Sequence, residues 1–314
     1  MLKLLTRRLA LMVPVLILVS FMVFSLVLLV PGDPAITLAG ENATEERVEA
    51  IRESLGLNDP VIEQYGRWAG NAVQGDLGES MFSGRSVLQS ITERLPVTSS
   101  LAAGALIIAL LIAVPAGITA ATNRGRAADS IATIGASLGL AMPSFWLGLV
   151  LVLILSLRLG WFPATGYVPF AENPREWALH LFLPALTLGA AAAAETSRQL
   201  RASLSDVLQQ DYVRTARAKG LRGRVVIFKH GLKNAAIPVI TVLGFQVATL
   251  LGGSVIVEQL FALPGLGGLA IRAVLDRDLP VIQGIVMFAA VIIMVMNLIV
   301  DLLYGWLNPK MRGA

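Results

Sequence analysis

The side chains that could carry chemistry in this chain are few. Its 314 residues include two histidines, His180 and His230, and no cysteine. Without cysteine there is no thiol nucleophile, no Cys-ligated zinc and no disulfide framework. A phosphate-cradling loop of the Walker type needs a glycine directly before its lysine. Lys3, Lys219, Lys229, Lys233 and Lys310 follow Leu, Ala, Phe, Leu and Pro, so the chain has no such loop of its own. No HExxH pair is present, and no carboxylate cluster reads as a metal site. A serine or histidine hydrolase needs a base within reach of its nucleophile, and the spans assigned below put His180 and His230 on opposite sides of a membrane. What remains is recognition, concentrated in the basic stretch DYVRTARAKGLRGRVVIFKHGLKNAAIP, residues 211–238. Asp211 is placed to cap a short helix, with Asp206 or Ser205 as alternative caps, and Gly220 to end it in a left-handed conformation. Such a helix presents Arg214, Arg217 and Lys219 on one side and Tyr212, Val213 and Ala216 on another, which suits docking to a soluble partner. The plain alternative is a basic face that only sets membrane topology.

The elements around that stretch belong to a membrane protein. Hydrophobic residues make up 55% of the chain and charged ones 15%, against about 45–50% and about 25% in soluble domains. Residues 9–30 carry no charge and follow Lys3, Arg7 and Arg8. A secretory signal has an apolar core of only about 7–15 residues, and a membrane span needs about 20, so an uncleaved first span is expected here. Further spans are expected at 101–122, 131–157, 181–200, 235–257 and 281–303. Pro143, in the AMPSFW stretch, should kink the third by removing a backbone hydrogen bond. The fourth, rich in Ala and Gly, should pack inside a bundle and continue as one helix into Glu195–Leu208. Residues 31–96 form a polar, acidic loop with a short amphipathic helix at 45–55. Residues 158–180 form a further loop, with the boundary-favouring Trp161, Tyr167 and Trp177.

Orientation follows from the bias of Lys and Arg toward the cytoplasmic side. With the N-terminus inside, sixteen of the 25 basic residues lie inside, while sixteen of the 21 acidic ones lie outside. Both termini and the 201–234 loop are then cytoplasmic. The net charge of +4 is thus sorted by membrane side, and no nucleic-acid partner is expected; lipid is. The expected architecture is all-α, a polytopic membrane protein of six helices forming one domain, 1–314. Within the loop, His230 and Asn234 should brace the basic segment against the fifth span. Gln246 could face a cavity or hold helices together, Glu258 could line a gate or face the aqueous boundary, and Met142 and Phe145 could shape a translocation path or simply pack. Asp33, Asp76 and Glu79 read as surface groups.

The basic stretch resembles the EAA signature of bacterial ABC importer permeases, in which an EAA triplet is followed after three residues by glycine. Arg214-Thr215-Ala216 stands at the triplet, Arg217-Ala218-Lys219 follows, and Gly220 closes it. Arg214 replaces the glutamate of the general pattern. His230 and Leu232-Lys233 stand where that pattern has Ile and Leu-Pro, and the proline comes later, at Pro238. These departures are typical of the dipeptide/oligopeptide/nickel subfamily. PGDPA (31–35), LGLNDPVIEQY (55–65), QGDLGES (74–80), RLPVT (94–98), MPSFW (142–146), VEQLFALPGLG (257–267) and RDLPVIQG (277–284) are similar to that subfamily too, in the same order along the chain.

The resemblance implies the transmembrane domain of a type I ABC importer in a bacterial inner membrane, as the first (B-type) permease subunit. It implies a homologous second permease, two cytoplasmic ATPases that bind ATP and Mg, and an extracytoplasmic binding protein that delivers substrate. The chain itself would be non-catalytic and hold no cofactor. Asp211, Tyr212, Arg214, Thr215, Ala216, Arg217, Lys219 and Gly220 would form the ATPase contact. Di- or oligopeptides are the expected cargo, with nickel chelates or glutathione as alternatives carried by the same architecture. The competing class is a self-contained channel or secondary transporter. A secondary transporter usually shows an internal repeat or a charge deep in a span, and neither is visible.

Overall fold

The computed structural model describes residues 2–28, 34–40, 43–54 and 56–307. The expectations placed on residues 29–33 (Asp33 among them), on Leu55 and on the tail 308–314 lie outside these. Among the described residues the chain is almost wholly helical. In order it forms α1 (Leu2–Leu28), α2 (Pro34–Ala39), α3 (Glu45–Ser54), α4 (Val61–Val73), α5 (Val87–Thr122), α6 (Ala127–Ala141) and α7 (Ser144–Leu151), the last running into a π-helical turn, Val152–Arg158. Then come α8 (Pro174–Leu208), α9 (Asp211–Ala218), α10 (Gly223–Val225), a second π-helical turn Val226–Leu232, α11 (Lys233–Leu260), α12 (Leu266–Asp276) and α13 (Leu279–Leu307). Segments of α1, α5, α8 and α13, and the continuous stretch Gly223–Leu260, are each long and apolar enough to cross a membrane. The α6–α7 pair makes a sixth crossing if its two arms count as one.

That pair departs from expectation. The arms meet at 105°, a break rather than a kink. Proline disfavours the helical region for the residue before it. Met142 (φ −82°, ψ 124°) and Pro143 (φ −60°, ψ 135°) are accordingly both extended, so two consecutive residues leave the helix instead of one hydrogen bond being lost. The second span also differs, because α5 starts at Val87 and carries Glu93 and Arg94 in its first turns. Similarly, α8 begins at Pro174, inside the stretch expected to be loop, where the Asn173 side chain caps the backbone N–H groups of Arg175 and Glu176.

Packing gathers the chain into two units. In the first, built mainly on Leu95–Gly268, α8 is the element against which α5, α6, α7 and α11 pack. Lipid gives little hydrophobic drive for helix association, so small residues and close van der Waals contact hold helices together. A Cβ on Gly189 would stand 2.5 Å from the Ala105 carbonyl oxygen, so α5 and α8 cross with their backbones nearly touching. A Cβ on Gly139 would lie 3.1 Å from that of Ala194, so α6 also packs closely on α8, though less so than α5. Leu101, Leu183, Leu188, Leu250, Val257 and Phe261 fill the core between these helices.

The second unit comprises Thr6–Arg94 and Leu269–Ile292. There α4 packs on α1 through aromatic edges. The Tyr65 ring meets Phe21 and Phe24 at 5.2 and 5.8 Å, and its hydroxyl lies 2.8 Å from Ser20 Oγ. Asp278, before α13, is buried and accepts hydrogen bonds from the Ser80 hydroxyl (2.5 Å) and the Met81 N–H (3.2 Å). This ties the QGDLGES segment to the start of the last span.

Candidate functional site

The basic stretch folds as α9, joined to α8 by a two-residue turn and to α11 by α10 and the π-helical turn. Asp211 is the first helical residue, not the cap. Gln210 occupies the cap in an extended conformation, and no side chain bonds the first N–H groups there. Asp206 and Ser205, the alternative caps, lie inside α8. The end of α9 does follow from the sequence. Gly220 has φ +78°, its N–H reaches the Arg217 carbonyl (2.9 Å), and the Leu221 N–H reaches Ala216 (3.3 Å). These two bonds make a Schellman motif, which requires a left-handed residue that glycine supplies without steric cost.

Two residues of α9, Val213 and Ala216, are buried, against Val226 and Leu208. They are spaced i, i+3 and so lie on one face. Asp211, Tyr212, Arg214, Thr215, Arg217, Lys219 and Gly220 are exposed. Arg214 reaches Asp211 at 3.3 Å, but both side chains are largely in solvent, where such a pair contributes about 0–1 kcal/mol. The outward face therefore carries positive charge free to meet a partner.

A second set of contacts fixes α9 to the next span. The Asn234 amide donates to the Tyr212 hydroxyl (2.9 Å) and to the His230 carbonyl (3.0 Å), and the Tyr212 hydroxyl also reaches that carbonyl at 3.5 Å. It is the His230 backbone, rather than its ring, that takes part. On the other side, Gly231 allows the π-helical turn to approach Leu204 and Leu208 of α8. The Ser203 hydroxyl donates to the Ala235 carbonyl (3.1 Å). So α9 rides on the joined ends of α8 and α11. Next to it, buried Asp129 at the start of α6 accepts a two-pronged contact from Arg201 of α8 (2.5 and 2.8 Å) and the Gly125 N–H (2.9 Å). Sequence reasoning passed over this pair, since Asp129 and Arg201 are 72 residues apart and no local pattern joins them.

Gln246 is buried, and its amide donates to the Ala192 carbonyl (3.0 Å) and Thr196 Oγ1 (3.1 Å). It holds α11 to α8. Glu258, expected to line a gate or face the aqueous boundary, lies buried within this chain. It is 1% exposed and accepts from the Thr98 hydroxyl (2.7 Å) and the Gly268 N–H (3.2 Å), while Thr98 also accepts from the Leu266 N–H (2.8 Å). The PGLGG turn folds over the carboxylate, and glycines at 265 and 267 leave the room it needs, since a Cβ on either would collide with it. Thr98 was the missed member of this group. Met142 is half-buried at the break between α6 and α7, and Phe145 (49% exposed) and Trp146 (46%) lie just past it. Among the described residues no cluster of His, Asp or Glu could hold a metal ion.

Two family models cover nearly the whole chain. Residues 113–313 match the binding-protein-dependent transport system inner membrane component, and residues 1–102 match the N-terminal part of such membrane components. A protein of Brucella abortus (strain 2308) named as a peptide transport system permease is 43% identical over 99% of both chains. The glutathione transport system permease protein GsiC of Escherichia coli O6:H1 is 44% identical over 99% of both. Among solved structures, the MetNI methionine ABC transporter in inward-facing conformations matches 69% of this chain and 95% of its own, with TM-score 0.57 and 15% identity, a likeness of fold. With its bundle around α8 and its multi-pass architecture, the chain belongs to the family of binding-protein-dependent transport system inner membrane components.

Proposed function

We propose that this inner-membrane permease forms half of the translocation path of an ATP-driven importer and that α9 is the helix through which partner ATPases move it. The observation that carries this reading is the division of α9. Val213 and Ala216 seat it on α8 and the π-helical turn, the Tyr212–Asn234 bond ties it to α11, and Arg214, Arg217 and Lys219 project outward. A short helix anchored to two spans cannot be displaced without displacing them. Force applied at α9 enters α8, which is continuous from Pro174 to Leu208 and packs on α6, α7 and α11. In physical terms, partner closure biases a bundle that has two arrangements.

The basic face argues for a cytoplasmic location of α9, and with it both termini, by the distribution of Lys and Arg. Residues 1–314 act as one permease domain alongside a homologous second permease. Two cytoplasmic ATPases bind the ATP and Mg, this chain being non-catalytic, and an extracytoplasmic binding protein delivers cargo. The names of relatives at 43–44% identity support a peptide-class cargo, including short peptides such as glutathione. Residues Met142 and Phe145, beside the break in α6–α7, are the ones we place along the path.

Purification of the tagged chain in detergent from its native host tests the reading. Two nucleotide-binding subunits and a second permease should co-purify. Gly220→Trp with Arg217→Glu should abolish assembly or transport-coupled ATP hydrolysis. A chain that purifies alone and moves solute without ATP would overturn the proposal in favour of a channel or secondary transporter.

A further inference from the structure

Beside α9 lies a cleft of about 430 Å³, walled by the end of α5, the end of α8 and the segment after α9. We propose that this cleft is a binding site for the phosphate-bearing headgroup of an acidic phospholipid. Its polar lining comes from Thr122, Arg124, Arg217, Ser205 and Gln209. The two arginines belong to distant segments of the chain, yet line one opening, and neither has an acidic partner among the described residues. Two unpaired cations on a concave surface raise its potential and draw anions. A guanidinium presents several N–H donors in a fork that fits phosphate oxygens.

A second, independent observation comes from Ser205. Its hydroxyl is buried and makes no hydrogen bond, although the residue is only 7% exposed and lines the cleft. Buried hydroxyls in folded proteins are nearly always partnered. Rotation about its Cα–Cβ bond sacrifices no existing bond and lets the hydroxyl donate to an oxygen held between the arginines. The cleft thus offers two charged forks, a spare hydroxyl and the Gln209 amide, and no carboxylate to repel an anion.

The rim selects a lipid over a free anion. After α9 the chain exposes Leu221, Val225 and Phe228 together with Arg222, Arg224 and Lys229. Apolar side chains interleaved with basic ones form a surface that rests at a membrane interface and favours anionic headgroups. Leu208 and Ile227, part of the cleft wall, give the glycerol region an apolar surface. The site involves no cargo; it shares Arg217 with the ATPase contact proposed above, while Arg124, Ser205 and Gln209 lie outside that contact.

The test is native mass spectrometry of the purified full-length chain with phosphatidylglycerol or phosphatidylcholine. Wild type should retain phosphatidylglycerol in preference. Arg124→Gln should lower that retention about tenfold, as loss of one charge-assisted contact does, and Ser205→Ala about threefold. Arg124 is exposed in the turn after α5, so its loss should not disturb folding, and Arg124→Lys should keep most of the binding. Arg126→Gln, an exposed arginine in the same turn but outside the cleft lining, should leave retention unchanged. Equal retention of the two lipids, or an equal loss in Arg126→Gln, would overturn the site in favour of diffuse surface charge. Displacement of the lipid by millimolar inorganic phosphate would assign the cleft to a soluble anion, and displacement on binding an ATPase subunit would assign it to that partner; either would overturn the lipid proposal.

Discussion

The Asn234 amide donates to the Tyr212 hydroxyl over 2.9 Å, joining the exposed helix α9 to the first turn of the span that follows it. The bond is partly in solvent, so it adds little to stability. Its value is geometric, because without it α9 is held mainly by the contacts of Val213 and Ala216. Tyr212→Phe and Asn234→Ala should each cost about 0.5–1 kcal/mol in unfolding free energy. Uptake per ATP hydrolysed should fall by more, about two- to thirtyfold, the range for substitutions that loosen coupling between distant sites. Uptake in reconstituted vesicles set against thermal unfolding separates the two effects.

Gly220 is the residue at which side-chain freedom matters most. A Cβ there meets nothing within 4 Å, so any loss on substitution comes from the left-handed backbone alone. Gly220→Ala should destabilise the end of α9 by about 1–2 kcal/mol, Gly220→Asn by less and Gly220→Val by more. Hydrogen exchange at the Gly220 and Leu221 amides, which close the Schellman motif, would show that order. Equal protection in all four proteins would count against it.

At Gly189 the constraint is space. Its Cβ would fall 2.5 Å from a backbone oxygen of α5, and backbone cannot rotate away as a side chain can. Gly189→Ala should therefore force α5 and α8 apart and lower stability by about 1–3 kcal/mol. Gly252, which has nothing within 4 Å, should accept alanine with little change. Paired thermal melts of the two variants would reveal the difference.

Glu258 is the acceptor that the Thr98 hydroxyl and the Gly268 N–H share. Glu258→Ala should leave both donors buried and unmatched, with a loss of about 3 kcal/mol or more. Glu258→Gln keeps one acceptor oxygen and should lose less. Proteolysis of the PGLGG turn should speed up in the alanine variant first.

Much of this was legible in the sequence because the signals are local. A run of apolar residues marks a span, and a glycine after a basic amphipathic turn marks where α9 ends. The rest depended on neighbours distant in the chain. Pro143 announces a lost hydrogen bond, but the 105° turn between the arms of α6–α7 arises because Met142 also leaves the helix. Glu258, at the end of an apolar run, reads as a boundary residue. Its burial depends on Thr98 in α5 and on a turn that folds back over it. Asp211 was a reasonable cap by residue type, yet the chain enters α9 one residue earlier, so the carboxylate falls in the first turn and the cap goes to Gln210. Gln246 reads two ways in an apolar run, because the groups it bonds, Ala192 and Thr196, lie on α8 and not near it in sequence.

The proposed coupling requires α9 to meet an ATPase, and the absence of cysteine from the chain allows a direct measurement. Arg217→Cys introduces a single thiol on the exposed face of α9, and Val73→Cys introduces one at a position 89% exposed in the loop expected outside the membrane. In the assembled transporter, a short thiol–amine cross-linker should join Arg217→Cys to an ATPase subunit, with the yield changing between ATP-bound and nucleotide-free states, and should leave Val73→Cys unjoined to it. An ATPase adduct with Val73→Cys and none with Arg217→Cys would contradict both the proposed orientation and the role of α9.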